Sequence, residues 1–179
     1  MKDYFPIMLL LAASALCPGP VVAGEPAPLK VEIKELKQQA TLVIRKSAKE
    51  GEIGAVLGAV FPKIGEFLGS KKINPLGPPF AKYLKHEGGV FEFEAGFPVP
   101  EGTKGEGDIV AGSLPAGKAA VVTHLGPYEQ LSKTYELLQK WLQDNKKDSA
   151  GDLWEVYVSC PPGQVKPEEF RTDIFAPIK

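Results

Sequence analysis

Cysteine is nearly absent from this 179-residue chain: Cys17 and Cys160 are the only two. Cys17 falls in an N-terminal stretch that reads as a removable leader. That leaves Cys160, and one thiol cannot close an internal disulfide. The fold must therefore rest on its buried core. Histidine is as scarce. His86 and His124 lie far apart, with no cysteine or carboxylate beside either at ligand spacing, so no metal site is expected. Excess charge is also missing. Lys and Arg number 21 against 22 Asp and Glu, a net charge of −1 that leaves no basic stripe for nucleic acid. Gly102, Gly105 and Gly107 precede no strand-to-helix turn and so make no phosphate loop. No nucleophile elbow or Ser-His-Asp order occurs. Beyond the N-terminus no stretch reads as apolar enough to cross a bilayer. No cofactor and no catalytic constellation is expected on these grounds.

The leader is the first positive feature. Residues 4–16 form an apolar run behind Lys2, about the length of a signal-peptide core and short of the ~20 residues that span a bilayer. Pro18, Gly19 and Pro20 follow, and Val21-Val22-Ala23 offers small residues ahead of a cleavage point at Gly24. Residues 1–23 are thus expected to be a signal peptide, and the protein periplasmic or secreted. An uncleaved membrane anchor, or a lipid on Cys17, is the alternative, although the bulky Leu16 suits a lipidation site poorly. Removing 23 residues leaves 156, enough for one domain.

Two passages of that domain share one order of elements. Residues 31–46 carry β-type runs, strongest at Thr41–Ile44. Glu50–Leu68 then places Ile53, Val56, Leu57, Val60, Ile64 and Leu68 on one helical face, with Pro62 expected to kink or interrupt it. After a loop at 75–79, residues 80–85 and 90–99 read as strands. The second passage gives a strand at 118–125, a helix opened by Gly126-Pro127 with Tyr128, Leu131, Tyr135, Leu138, Trp141 and Leu142 on its apolar face, then strands at 153–160 and 170–178. The glycine- and charge-rich stretch 100–111 reads as a linker between halves at about 31–99 and 112–179. The expected fold class is α+β: duplicated β-α-β-β units with pseudo-twofold symmetry, antiparallel sheets, one main helix per half and a ligand groove between the halves.

Chemistry concentrates at Trp154-Glu155-Val156-Tyr157. On a strand, alternate side chains share a face. Trp154, Val156 and Val158 are expected to pack on a helix, and Glu155, Tyr157 and Ser159 to face the other way. Burial would raise the Glu155 pKa, and a bound cation would favour its charged form. Adjacent Tyr and Trp suit a planar or cationic guest. The plain alternative is an exposed glutamate on a solvated sheet face. Tyr83 is a second candidate, facing the groove opposite Tyr157. Glu92 and Glu94, side by side on one strand, read as a solvated face, and His124 as a local cap.

The run Ala119–Tyr128 leading into a helix, then Trp154-Glu155-Val156-Tyr157, then the closing strand near Phe170–Ile178, resembles the GyrI-like (gyrase-inhibitory-protein-like) small-molecule-binding domain, which is also the effector-binding half of some AraC-type and MerR-type regulators. The resemblance covers most of the chain after the leader and implies the duplicated fold. It also implies that Glu155, at the position of the family's ligand-contacting glutamate, meets a small organic ligand, often a cationic aromatic one. Cys160-Pro161 stands where the family often has Asp-Pro, and no DNA-binding domain is read ahead of residue 31. The fold also resembles that of haem-binding SOUL-type proteins, which leaves axial ligation by a histidine open.

Three functions follow from this reading. The first is a binding module using Glu155, Tyr157, Tyr83 and Trp154, with Trp154 either in contact or supporting from behind. The second is a small hydrolase of reactive electrophiles, with Glu155 as general base and Tyr157 as hydrogen-bond donor. The third is a structural partner in an envelope assembly. Oligomeric state has no signature in the sequence.

Overall fold

A computed structural model describes residues 30–159 and 166–179. The expected leader, residues 24–29 and Cys160 lie outside the described residues.

Eight strands form one antiparallel sheet: β1 (Val31–Leu36), β2 (Gln39–Lys49), β3 (Phe80–Glu87), β4 (Val90–Pro98), β5 (Val110–Leu114), β6 (Gly117–Leu125), β7 (Trp154–Tyr157) and β8 (Arg171–Pro177). Helices α1 (Ile53–Ser70) and α2 (Leu131–Asp144) complete the α+β fold. The sheet order is β1-β6-β8-β7-β3-β4-β2-β5. Each β-α-β-β unit is thus laid out alike, as β2-β4-β3 and β6-β8-β7, and the units meet where β3 pairs with β7. The strand before each unit joins the other: β1 pairs with β6, and β5 with β2.

That exchange forces the sheet to curl. In a flat sheet β1 and β2 would lie six strand spacings, about 29 Å, apart. Only Lys37 and Gln38 connect them, which limits Leu36 and Gln39 to about 11 Å between Cα atoms. Pro115 and Ala116 impose the same limit between β5 and β6. The edges therefore converge. Residues from both edges and from the centre of the sheet meet around one cavity on the face away from the helices, so that face is the inside of the curl. The curl also brings β2 and β4 close: a Cβ on Gly96 would lie 1.9 Å from the Leu42 carbonyl oxygen.

The helices cover the outer face. In α1, Leu57, Val60, Ile64 and Leu68 are buried against Leu42, Ile44, Phe93 and Ala95. Spacing of three and four residues made this face readable. In α2, Leu138 packs with Ala120, Val122, Ile174 and Ala176.

Four expectations need correction. Helix α1 is not interrupted at Pro62. Pro62 and Gly58 lie on the exposed side, so the Gly58 carbonyl that loses its helical donor can be solvated. Segment Glu50–Ser70 does pass as a membrane span by length and composition, because glycine and alanine keep its outer face apolar, yet its large side chains pack on the sheet. The stretch 100–111 is not a free connector. Ile109 is in the core, Val110 opens β5, and Lys63–Asp108 and Lys71–Glu106 ion pairs of 2.7 and 2.5 Å tie it to α1. Among the expected strands, 153–160 shortens to four residues, Val158 and Ser159 lying in a turn.

Candidate functional site

Strand β7 lies at the middle of the sheet, between β8 and β3. Glu155 stands opposite Ala81 on β3 and Ile174 on β8, and Tyr157 opposite Thr172. Ala81, Ile174 and Tyr157 all belong to the cores beneath the helices. Glu155 and Tyr157 therefore share the helix-covered face. The expectation that Trp154 and Val156 take that face is wrong: they point into the curl. Alternation fixed which residues go together, but not which set meets the helices.

Glu155 is 4 % exposed. It is neither on a solvated face nor in an open groove. Three phenols donate to it: Tyr135 to Oε1 at 2.5 Å, Tyr157 to Oε2 at 2.6 Å, and Tyr83 to Oε2 at 3.2 Å. Tyr83 comes from β3, where the pairing with β4 skips a residue directly after it. The structure thus brings Glu155, Tyr157 and Tyr83 together, as expected of that trio, and separates Trp154. Trp154 instead stacks on Phe175, with centroids 5.2 Å apart and planes at 6°.

More rings close the site from the helices. Phe61 of α1 lies 5.7 Å from Tyr157. Tyr128 meets Tyr157 edge-on at 5.8 Å and stacks on Phe170 at 5.0 Å. Tyr135, Tyr128 and Phe61 were absent from the expected site. Periodicity had placed Tyr128 and Tyr135 on an apolar helical face, which is where they lie. The overlooked signal was chemical: a tyrosine on a buried face needs a partner for its hydroxyl.

His124 holds this arrangement from behind. It is buried, with Nδ1 2.8 Å from the Thr134 hydroxyl and Nε2 3.2 Å from the Pro127 carbonyl. A carbonyl only accepts, so Nε2 donates to Pro127, while Nδ1 shares a hydrogen bond with the Thr134 hydroxyl. The imidazole ties the end of β6 to the start of α2 across Gly126, whose φ of +119° makes the turn. Both ring nitrogens are engaged, in keeping with a local cap rather than an axial ligand. His86 stacks on Phe91 at 4.0 Å. No group of three or more His, Cys, Asp or Glu among the described residues is placed to hold a metal.

Electrostatics separate the two buried glutamates. Glu94, expected on a solvated face, is 8 % exposed inside the curl. Burial pushes its pKa up, but Lys82 at 2.7 Å and Arg45 at 2.6 Å outweigh that and hold it below the usual glutamate value. Glu155 has no ion pair among the described residues. Burial pushes its pKa up, and the three phenols and the His124 side chain offset this only in part. Burial, then the Glu155 charge, drives Tyr83, Tyr135 and Tyr157 well above the ordinary tyrosine value, so all three remain donors. The result is a desolvated carboxyl group, ringed by aromatic surface and without an ion pair among the described residues.

Known structures share this fold. EcmrR, seen by cryo-EM in a DNA complex, matches at 22% identity and a TM-score of 0.75, over 85% of this chain but only 58% of EcmrR. The EcmrR C-terminal domain alone matches at 22% identity and 0.74, over 84% of this chain and 98% of that domain. SAV2435 bound to tetraphenylphosphonium matches at 13% identity and 0.61, covering 84% and 94%. A hydrolase from Listeria innocua matches at 12% identity and 0.63, covering 86% and 94%. These likenesses establish the fold. No curated protein sequence matches the chain. A family model matches residues 29–179, and the chain therefore belongs to the GyrI-like small-molecule-binding domain family.

Proposed function

We propose that this domain binds lipophilic aromatic cations against Glu155. One observation carries the proposal: a carboxyl group 4 % exposed accepts three tyrosine hydroxyls yet forms no ion pair among the described residues. Burial disfavours the charged form and raises the Glu155 pKa. A guest cation would favour the charged form instead. The tyrosine and phenylalanine rings add attraction through their π faces. The SAV2435 fold, crystallised with tetraphenylphosphonium, supports this class of guest by analogy. The expected groove is covered here by Phe61 and Tyr135, so entry requires that cover to move aside.

Calorimetry with tetraphenylphosphonium tests the reading. Replacing the charge in Glu155→Gln should weaken binding by about tenfold or more, from the ~1.5–3 kcal/mol of a charged buried contact. Wild-type affinity should rise with pH as Glu155 ionises. Equal affinity of the two proteins would refute the proposal.

The hydrolase alternative draws on the raised Glu155 pKa, which suits a general base. Three phenols, however, fill three of about four acceptor positions and leave little room for an activated water. A panel of reactive electrophiles, assayed for product with wild type and Glu155→Gln, separates turnover from binding.

Export is part of the proposal. It is supported by the apolar run at 4–16 and the small residues before Gly24. Mass spectrometry of the expressed protein should find a chain beginning at Gly24 in the periplasm or medium. An intact Met1 species in the cytoplasm would overturn export while leaving the binding proposal standing.

A further inference from the structure

We propose that the mouth of the curled sheet is a second binding site, for a small aromatic carboxylate, on the face opposite Glu155. The two sites share β7: Glu155 and Tyr157 serve the outer face, while Trp154 and Val156 serve the inner one.

The cavity at this mouth has a volume of about 240 Å³. A dry cavity of ~150 Å³ already accepts benzene, so one or two fused rings suit the space. Barrel mouths are favoured ligand positions. The floor is the parallel Trp154–Phe175 stack, flanked by Phe80 and Val156. Trp154 and Phe80 are almost fully buried, so the floor is fixed.

The walls are stiff and nearly free of donors. Pro78, Pro98 and Pro115 line them, and proline has a fixed φ and no N–H. The loop carrying Leu76 is pinned by its amide, which donates to the Pro98 carbonyl at 2.8 Å. Gln39 is also held, its Nε2 donating to the Ala40 and Val99 carbonyls at 2.9 and 3.0 Å. Leu76 remains 60 % exposed at the rim, a large apolar side chain without cover.

Charge decides the class of guest. Lys37, in the connection between β1 and β2, is the one charged residue lining the cavity among the described residues. Its ammonium makes no ion pair among them, whereas nearby Lys34 pairs with Glu32. No carboxylate among the described residues lines the cavity. An apolar, ring-floored space with one unpaired cation at its edge fits an aromatic acid, and it would disfavour the cations proposed for Glu155.

The probe is 2-naphthoate, titrated into the whole protein by calorimetry, with the Trp154 indole N–H followed by NMR. Lys37 and Leu76 are exposed, so their variants should fold normally. Leu76→Asp should weaken binding about tenfold through lost apolar contact, and Lys37→Glu about fivefold through reversed charge. Glu155→Gln should leave binding unchanged, and the Trp154 resonance should shift on addition of 2-naphthoate. No binding at millimolar probe would overturn the proposal. So would a loss confined to Glu155→Gln, a still Trp154 resonance, or 2-naphthoate itself binding equally to wild type and Lys37→Glu. None of these results bears on tetraphenylphosphonium binding, so the two proposals fail separately.

Discussion

Removing one hydroxyl from the Glu155 cage should produce a stability defect that grows with pH. Among the described residues Tyr135 is the sole donor to Glu155 Oε1, at 2.5 Å, while Tyr157 and Tyr83 share Oε2. Tyr135→Phe keeps the ring and deletes only that donor. In wild type the folded-state pKa of Glu155 lies above its unfolded value because of burial. The folded protein therefore holds its proton more tightly, and stability falls as pH rises from the ordinary glutamate range through the folded pKa. The Tyr135 hydrogen bond works against that rise, so deleting it moves the folded pKa higher still. Below both values Glu155 is protonated in both proteins, and the variant loses only a neutral hydrogen bond, about 0.5–1.5 kcal/mol. Above the wild-type folded pKa it loses a bond to a charged acceptor, about 1.5–3 kcal/mol. Urea unfolding from about pH 4 to about pH 9 measures this. With a slope near ~2 kcal/mol/M, the midpoint difference should open to about 1 M at the alkaline end. A difference that is flat with pH, or absent, would refute the view that Tyr135 steadies a carboxylate.

Other substitutions probe separate parts of the argument. Trp154→Phe should destabilise the protein by about 1–3 kcal/mol in thermal unfolding, through loss of its stack on Phe175, yet leave tetraphenylphosphonium affinity unchanged, because the indole lies on the opposite face. A matching loss of cation affinity would place Trp154 in the Glu155 site after all. Gly58→Ala and Gly65→Ala in α1 should each stabilise by about 0.5–1 kcal/mol, since an added Cβ meets nothing within 4 Å at either position. Loss of stability would show that the helix depends on those glycines. Gly96→Ala should cost about 3 kcal/mol or more, because its Cβ would overlap the Leu42 carbonyl. A normally stable Gly96→Ala protein would mean the sheet is less tightly curled than described.

Much of the site was legible before the fold, in pieces. Alternation along Trp154-Glu155-Val156-Tyr157 grouped Glu155 with Tyr157, and Tyr83 could be matched to them from the parallel order of the two units. Tyr135 was visible only as part of a helical stripe. Its role depends on how α2 crosses β7, and no local pattern encodes that crossing. Glu94 shows the reverse failure. Alternating with phenylalanines it reads as a surface residue, but it is buried inside the curl, and strand pairing sets Lys82 and Arg45 directly opposite it as partners.

The sequence alone determined most of the elements: period-two runs became strands and apolar residues at spacings of three and four became helices, although β5 opened inside the stretch read as a linker. It also determined which side chains travel together on a strand, because backbone geometry makes that a local property. Only the tertiary structure decided which face each set meets. The two-residue connections that exchange β1 and β5 between units bend the sheet, placing the helices outside it and Trp154 within. A strand's two faces are equivalent until its neighbours are fixed, and for β7 one of those neighbours, β3, comes from the other unit, far away in sequence.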